Sequence, residues 1–169
     1  MGRRLLPNTL PELYAHAISV EREAAKRFVE LERSMRDAGI DHLAEEFAKI
    51  GSEEREQYEA LSLGTADRKL PELRAWEYAW HFLGPQTEIA AKPKNARDAL
   101  KLALATERRA QNFYTDVAEH SMNDSVCAFA AEMAVDEQRH VTRLEALLAR
   151  EPEPAQVESA DDVDGVTVP

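Results

Sequence analysis

Four glutamates lie inside apolar helical stripes, at positions related by an internal repeat. Glu21-x-x-Ala24-x-x-x-Phe28 matches Glu107-x-x-Ala110-x-x-x-Tyr114. Glu53-Glu54-x-x-Gln57-x-x-x-Leu61 matches Asp136-Glu137-x-x-His140-x-x-x-Leu144. The chain is thus two copies of one helical hairpin. The separations from Glu21 to Glu54 and from Glu107 to Glu137 are 33 and 30 residues, so in antiparallel pairs the acids meet near mid-helix. An ionised carboxylate on a core face costs several kcal/mol unless something pairs it. Only a fold that brings all four to one neutralised place can accept this pattern.

The stripes themselves are helical, with apolar residues recurring every three or four positions. The first predicted helix runs from about Leu10 to Ala38, through Leu13, Ala17, Val20, Ala24, Phe28 and Leu31, with Gly39 as its stop. The second runs from Ile40 or Asp41 to Leu63, with Asp41 as the expected N-cap. The third runs from Asn95, a candidate N-cap, to Ser121, and the fourth from Ser125 to Arg150. Residues 64–93 form a long connection in which Pro71 can open a short helix carrying Trp76, Tyr78, Trp80 and Phe82. A connection of that length can cross a bundle from end to end instead of turning back. The expected fold is all-α: an antiparallel four-helix bundle over residues 1–150, with a long crossover between helices 2 and 3. An acidic tail over 151–169 follows, with six acids and no base.

Composition narrows the function. A net charge of −11 argues against nucleic acid or an anionic membrane surface as partner. The one cysteine, Cys127, allows no internal disulfide and no Cys-x-x-Cys metal site. No run reaches transmembrane length, and the two N-terminal arginines precede no apolar region of signal-peptide size. A cytoplasmic protein is expected.

Mutual repulsion among Glu21, Glu54, Glu107 and Glu137 would force protonation or unfolding unless a cation neutralises them. His140 lies one helical turn from Glu137, on the same face. Carboxylates with an imidazole suit iron or manganese, with zinc as an alternative, and helical bundles hold metal pairs in this way.

The order Glu, Glu-x-x-His, Glu, Glu-x-x-His over four helices is the pattern of the ferritin-like superfamily. The chain resembles it over residues 10–150, and most closely resembles the rubrerythrin-type di-iron proteins in short forms without a rubredoxin domain. The Trp76-x-x-x-Trp80 crossover is similar to that of some small bacterial members. The resemblance implies a ferritin-like bundle holding two iron ions per site and reacting with dioxygen or hydrogen peroxide. It also implies a homodimer, and the lack of a cysteine cluster, a nucleotide-binding glycine loop or another evident electron-entry group makes any turnover dependent on an external electron donor. It makes Glu21 and Glu107 terminal ligands, Glu54 and Glu137 bridges, and His140 a cap on one metal.

The chain departs from that pattern in three places. Gln57 stands where the first Glu-x-x-His has its histidine, offering a neutral and weaker oxygen donor. Apolar Leu104 and Ala110 leave no extra carboxylate a turn from Glu107, and no four-cysteine iron site exists to deliver electrons. No other histidine obviously fills the gap: His42 is about 18 Å along its helix from Glu54, His16, His42 and His120 read as surface or helix-end residues, and His81 lies in the crossover, which the periodicity does not place. Tyr114, two turns from Glu107, reads first as core, and also as a group able to donate an electron or hydrogen-bond a ligand. Cys127 reads as a small buried hydrophobe. Three functions stay open: a di-iron oxidoreductase, an iron-handling or ferroxidase protein, and a non-enzymatic bundle stabilised by metal at a degenerate site.

Overall fold

The computed structural model describes residues 6–74 and 92–155. Four helices account for most of them: α1 (Leu10–Asp37), α2 (Asp41–Gly64), α3 (Ala96–His120) and α4 (Asp124–Arg150). There is no strand among the described residues. The expected short helix around Trp76 and Trp80, and the acidic tail beyond residue 155, lie outside the described residues.

Local chemistry sets the helix ends. At α1 the Thr9 hydroxyl accepts from Glu12 N, and the Glu12 carboxylate reaches back to Asn8 N at 2.9 Å. Asn95 caps α3 by accepting from Asp98 N at 2.9 Å, and Asn123 caps α4 by accepting from Ser125 N and Val126 N. The expected cap at Asp41 is corrected. Ile40 is the N-cap residue of α2 and offers no side-chain bond, while Asp41 is the first helical residue. The cause is the way α1 ends. Gly39 adopts φ 73°, Gly39 N donates to Arg36 O, and Ile40 N donates to Met35 O at 2.8 Å. That closure wants an apolar residue after the glycine, and Ile40 packs against the core there. Asp41 still places its charge at the positive end of α2.

The contacts at the helix ends fix the directions. Asn8, just before α1, bonds to Ser121 and Met122 at the end of α3, so α1 and α3 are antiparallel. Arg143 near the end of α4 bonds to Glu46 near the start of α2. Arg97 at the start of α3 bonds to Leu148 O at the end of α4. Both α2 and α3 therefore start at the same end of the bundle. The connection between them spans the length of α2, about 36 Å for 24 residues. This is the crossover that the sequence requires.

The core falls into two apolar clusters. One gathers Phe28, Leu31, Met35, Phe47, Ile50 and Leu144. The other gathers Leu13, Val20, Phe113, Tyr114, Val117 and Val126. Burying each large side chain contributes about 1.5–3 kcal/mol. Along every helix the switch from one cluster to the other occurs at the stripe glutamate. No helix among the described residues is long and apolar enough to cross a membrane.

The α1–α2 hairpin packs closely at Gly51, where an added Cβ would stand 2.9 Å from Phe28 Cβ. Phe28 is fully buried and its ring sits 6.0 Å from that of Phe47, so it has no room to withdraw. Gly51→Ala should lower stability, because an overpacking loss of about 1–3 kcal/mol outweighs a helix-propensity gain of about 1 kcal/mol. Gly64, with open space around it, is the control: Gly64→Ala should leave the urea midpoint level or raise it. Equal midpoints for both variants would contradict this packing.

Candidate metal centre

Each helix delivers one glutamate to the layer between the two apolar clusters: Glu21 from α1, Glu54 from α2, Glu107 from α3 and Glu137 from α4. All four are 0% exposed, and His140 is 6% exposed. Glu54, Glu107, Glu137 and His140 each present one donor atom within 4.8 Å of the others. Glu21 completes the layer beside Glu54. Its Oε1 accepts from the Tyr114 hydroxyl at 2.5 Å, so Tyr114 is a fully buried core residue that also holds a carboxylate of the site. The side chains at 104 and 110 are buried and apolar, as the sequence implies.

His140 is the hub. Its Nδ1 stands 2.6 Å from Glu54 Oε1 and 3.0 Å from Glu107 Oε2. One ring nitrogen carries at most one proton, and the geometry aims it at Glu107, leaving Glu54 Oε1 close but unbonded. On the other side of the ring, Nε2 lies 2.8 Å from Glu53 Oε2. Glu53 is half-exposed and was not singled out from the sequence. The only signal for it is the repeat, which aligns Glu53 with Asp136, each directly before a buried glutamate. Gln57 is a partly buried neighbour of the layer, and its amide nitrogen donates to Asp136 Oδ2 at 3.0 Å.

The other histidines stay outside the layer. His42 is exposed beside Glu151, and His120 is exposed with its ring bonded to Asp116 O. His16 departs from its expected surface position: it is buried against Phe113, ring centroids 5.5 Å apart, because that side of α1 faces α3. Cys127 is half-buried, with its Sγ on Ser121 O.

The electrostatics show how far the layer is from self-sufficient. Burial, followed by the Glu54 charge, pushes Glu107 up to about 7. Burial and then Glu54 hold Glu21 well above the ordinary carboxylate range. Burial and then Glu107 do the same to Glu137. Burial, and then Glu21, raises the Tyr114 phenol, which keeps its proton on the hydrogen bond. Burial alone would lower His140, but the Glu107 carboxylate bonded to it and the Glu54 carboxylate beside it outweigh that and carry it up to about 11.

Six buried carboxylate oxygens have no hydrogen-bond partner: Glu21 Oε2, Glu54 Oε1 and Oε2, Glu107 Oε1, and Glu137 Oε1 and Oε2. A buried carboxylate oxygen without a donor is expensive. Oxygens of this kind converging beside one imidazole suit divalent cations, and the donor set fits iron, manganese or zinc. The residues present fit a metal pair.

The rubrerythrin family model matches residues 12–148. No curated protein matches the chain. Among solved structures, an uncharacterized conserved protein from Magnetospirillum magnetotacticum MS-1 is similar, at 28% identity and a TM-score of 0.77, covering 87% of this chain and 98% of that one.

These shifts set a pH dependence for the chelator-treated protein. Glu107 ionises near 7 in the fold against an ordinary value of 4.5. The folded chain therefore holds a proton that the unfolded chain has lost, and stability falls as pH rises through that window. His140 acts in the same direction: its contribution is complete below 6.5 and is lost as pH climbs towards 11. Glu21 and Glu54 face these two groups from α1 and α2, Tyr114 and Glu137 lie on α3 and α4 themselves, and Glu53 faces His140 from the solvent edge. The melting temperature without metal should be lower at about pH 8 than at about pH 5.5, by about 5 °C or more. Added divalent metal should shrink the difference. A flat profile without metal would contradict the charge balance described above.

Proposed function

This chain belongs to the rubrerythrin family, and on that premise we propose that its carboxylate–histidine layer holds a pair of iron ions and reduces hydrogen peroxide or dioxygen with electrons from a separate donor. The observation that supports this most is the set of six buried carboxylate oxygens left without hydrogen-bond partners. In this reading Glu21, Glu54, Glu107 and Glu137 would hold the pair, with His140 and Gln57 as the further ligands at its two ends.

When bound, two iron ions would supply redox chemistry, the two electrons that with two protons reduce one hydrogen peroxide to two waters. The chain's own groups do the rest. Tyr114 fixes Glu21 through a proton it does not readily lose. The apolar clusters on either side of the layer exclude bulk water. Glu53, on His140 Nε2 and half-exposed, marks where protons pass between solvent and the layer. With Cys127 as the sole cysteine, this sequence builds no four-cysteine electron donor of its own.

Gln57 favours a second reading, iron oxidation and release. A neutral amide oxygen holds a divalent ion less firmly than an imidazole does, and an ion that leaves is cargo. Metal analysis of protein purified without chelator comes first, followed by anaerobic ferrous loading and addition of peroxide. The expected result is two metal ions per chain and rapid ferrous oxidation with peroxide. Repeated turnover should occur only with an added reductant. Ferric iron released after each oxidation would favour the second reading. Glu137→Ala should lower metal affinity by about tenfold or more with helix content retained. Unchanged metal content in that variant would sink both readings.

A further inference from the structure

Two hydrogen bonds cross the seam between α2 and α4 in opposite directions. His140 on α4 directs Nε2 to Glu53 Oε2 on α2 at 2.8 Å. Gln57 on α2 donates Nε2–H to Asp136 Oδ2 on α4 at 3.0 Å. Each acceptor is the acid directly before its own helix's buried glutamate, Glu53 before Glu54 and Asp136 before Glu137. The same repeat that relates the hairpins therefore relates the two bonds. The outer oxygens differ in their arginines: Asp136 Oδ1 accepts from Arg139 of its own helix at 2.9 Å, while Glu53 Oε1 stands 3.6 Å from Arg143 across the seam on α4.

The polarity of the Asp136 bond determines which way Gln57 points. An aspartate carboxylate only accepts, so the atom facing it is the amide nitrogen. The amide is planar, so the carbonyl oxygen points away from Asp136, and that oxygen is buried with no hydrogen-bond partner. His140 shows what the equivalent position does. With Nε2 turned to Glu53, its Nδ1 faces Glu54 and Glu107 inside the layer.

We infer that Asp136 is a positioning residue that locks Gln57 with its carbonyl oxygen turned to the metal layer, making Gln57 a neutral oxygen ligand, and that Glu53 does the same for His140 from the opposite helix. The inference rests on the metal-binding reading above. It makes the departure at Gln57 an organised feature: the repeat keeps the acid that orients the cap in both halves, while the donor atom differs, nitrogen in one and oxygen in the other. The two ends of the layer then bind cations unequally, and each end is tuned by an acid on the other hairpin.

The sharp variant is Asp136→Asn. Arg139 draws the one remaining side-chain oxygen, so the new amide nitrogen faces Gln57 and turns its carbonyl outward. The variant keeps the shape of the side chain and the fold should not suffer. The probe is Co²⁺, titrated anaerobically and followed by calorimetry and ligand-field absorption. The natural protein should bind two ions with unequal affinity. Asp136→Asn should weaken the second binding event by about tenfold or more, change its absorption spectrum, and leave the first event as it was. Gln57→Leu should weaken the same event. The double variant should match Gln57→Leu alone, since the two residues act through one contact. Glu53→Gln should weaken the first event instead. Metal-free melting temperatures of all variants check for a merely structural role, which would move stability and leave the unequal binding intact. Equal weakening of both events by Asp136→Asn, no effect on either, or additive losses in the double variant would overturn the inference while leaving the metal-binding reading in place. No Co²⁺ binding by the natural protein would overturn the metal-binding reading itself.

Discussion

Four carboxylates share one dry layer, and the rest of the structure depends on how that layer is tolerated. Desolvation and mutual repulsion both oppose ionisation, and they raise Glu21, Glu107 and Glu137 together. One imidazole and one phenol donate hydrogen bonds to these acids, and the imidazole also offsets charge. The two apolar clusters supply the burial that keeps the acids in place. Stability is thus spent at mid-bundle to hold a site that is complementary to cations, and rubrerythrin-family membership gives that arrangement its functional sense.

The halves of the layer are alike in architecture and unlike in chemistry. The hairpin of α3 and α4 carries the imidazole, so Glu107 has a charged partner on its neighbouring helix. The hairpin of α1 and α2 relies on Tyr114, supplied from α3, to satisfy Glu21. Both supports for the first hairpin's acids, the Tyr114 phenol and His140 itself, come from the second hairpin. The site is therefore a joint product, and neither hairpin holds a complete one.

Much of this was legible in the sequence. Val20, Ala24 and Phe28 around Glu21, or Leu104 and Ala110 around Glu107, announce helices whose polar intruders must be inside, and the internal repeat places them at one height. What was not legible depends on geometry between helices. Glu53 and Asp136 carry no signal beyond the repeat, because each makes its contact across to another helix, which no local pattern records. Asp41 looked like a cap because its residue type favours caps. The link from α1 instead needed an apolar Ile40 to close on Met35. His16 looked like a surface residue, but the helix that buries it begins eighty residues later in the chain.

The short link between α1 and α2, closed by Gly39, and the three-residue turn capped by Asn123 make each hairpin a local structure. Contacts close in sequence form fast, and contacts across a long loop form slowly. Each hairpin can therefore assemble while its acids still face water. Charge confinement arises only when the two hairpins dock across the crossover. With the hairpins formed first, the electrostatic cost would fall on their docking, and a cation arriving between them would act there as an assembly factor.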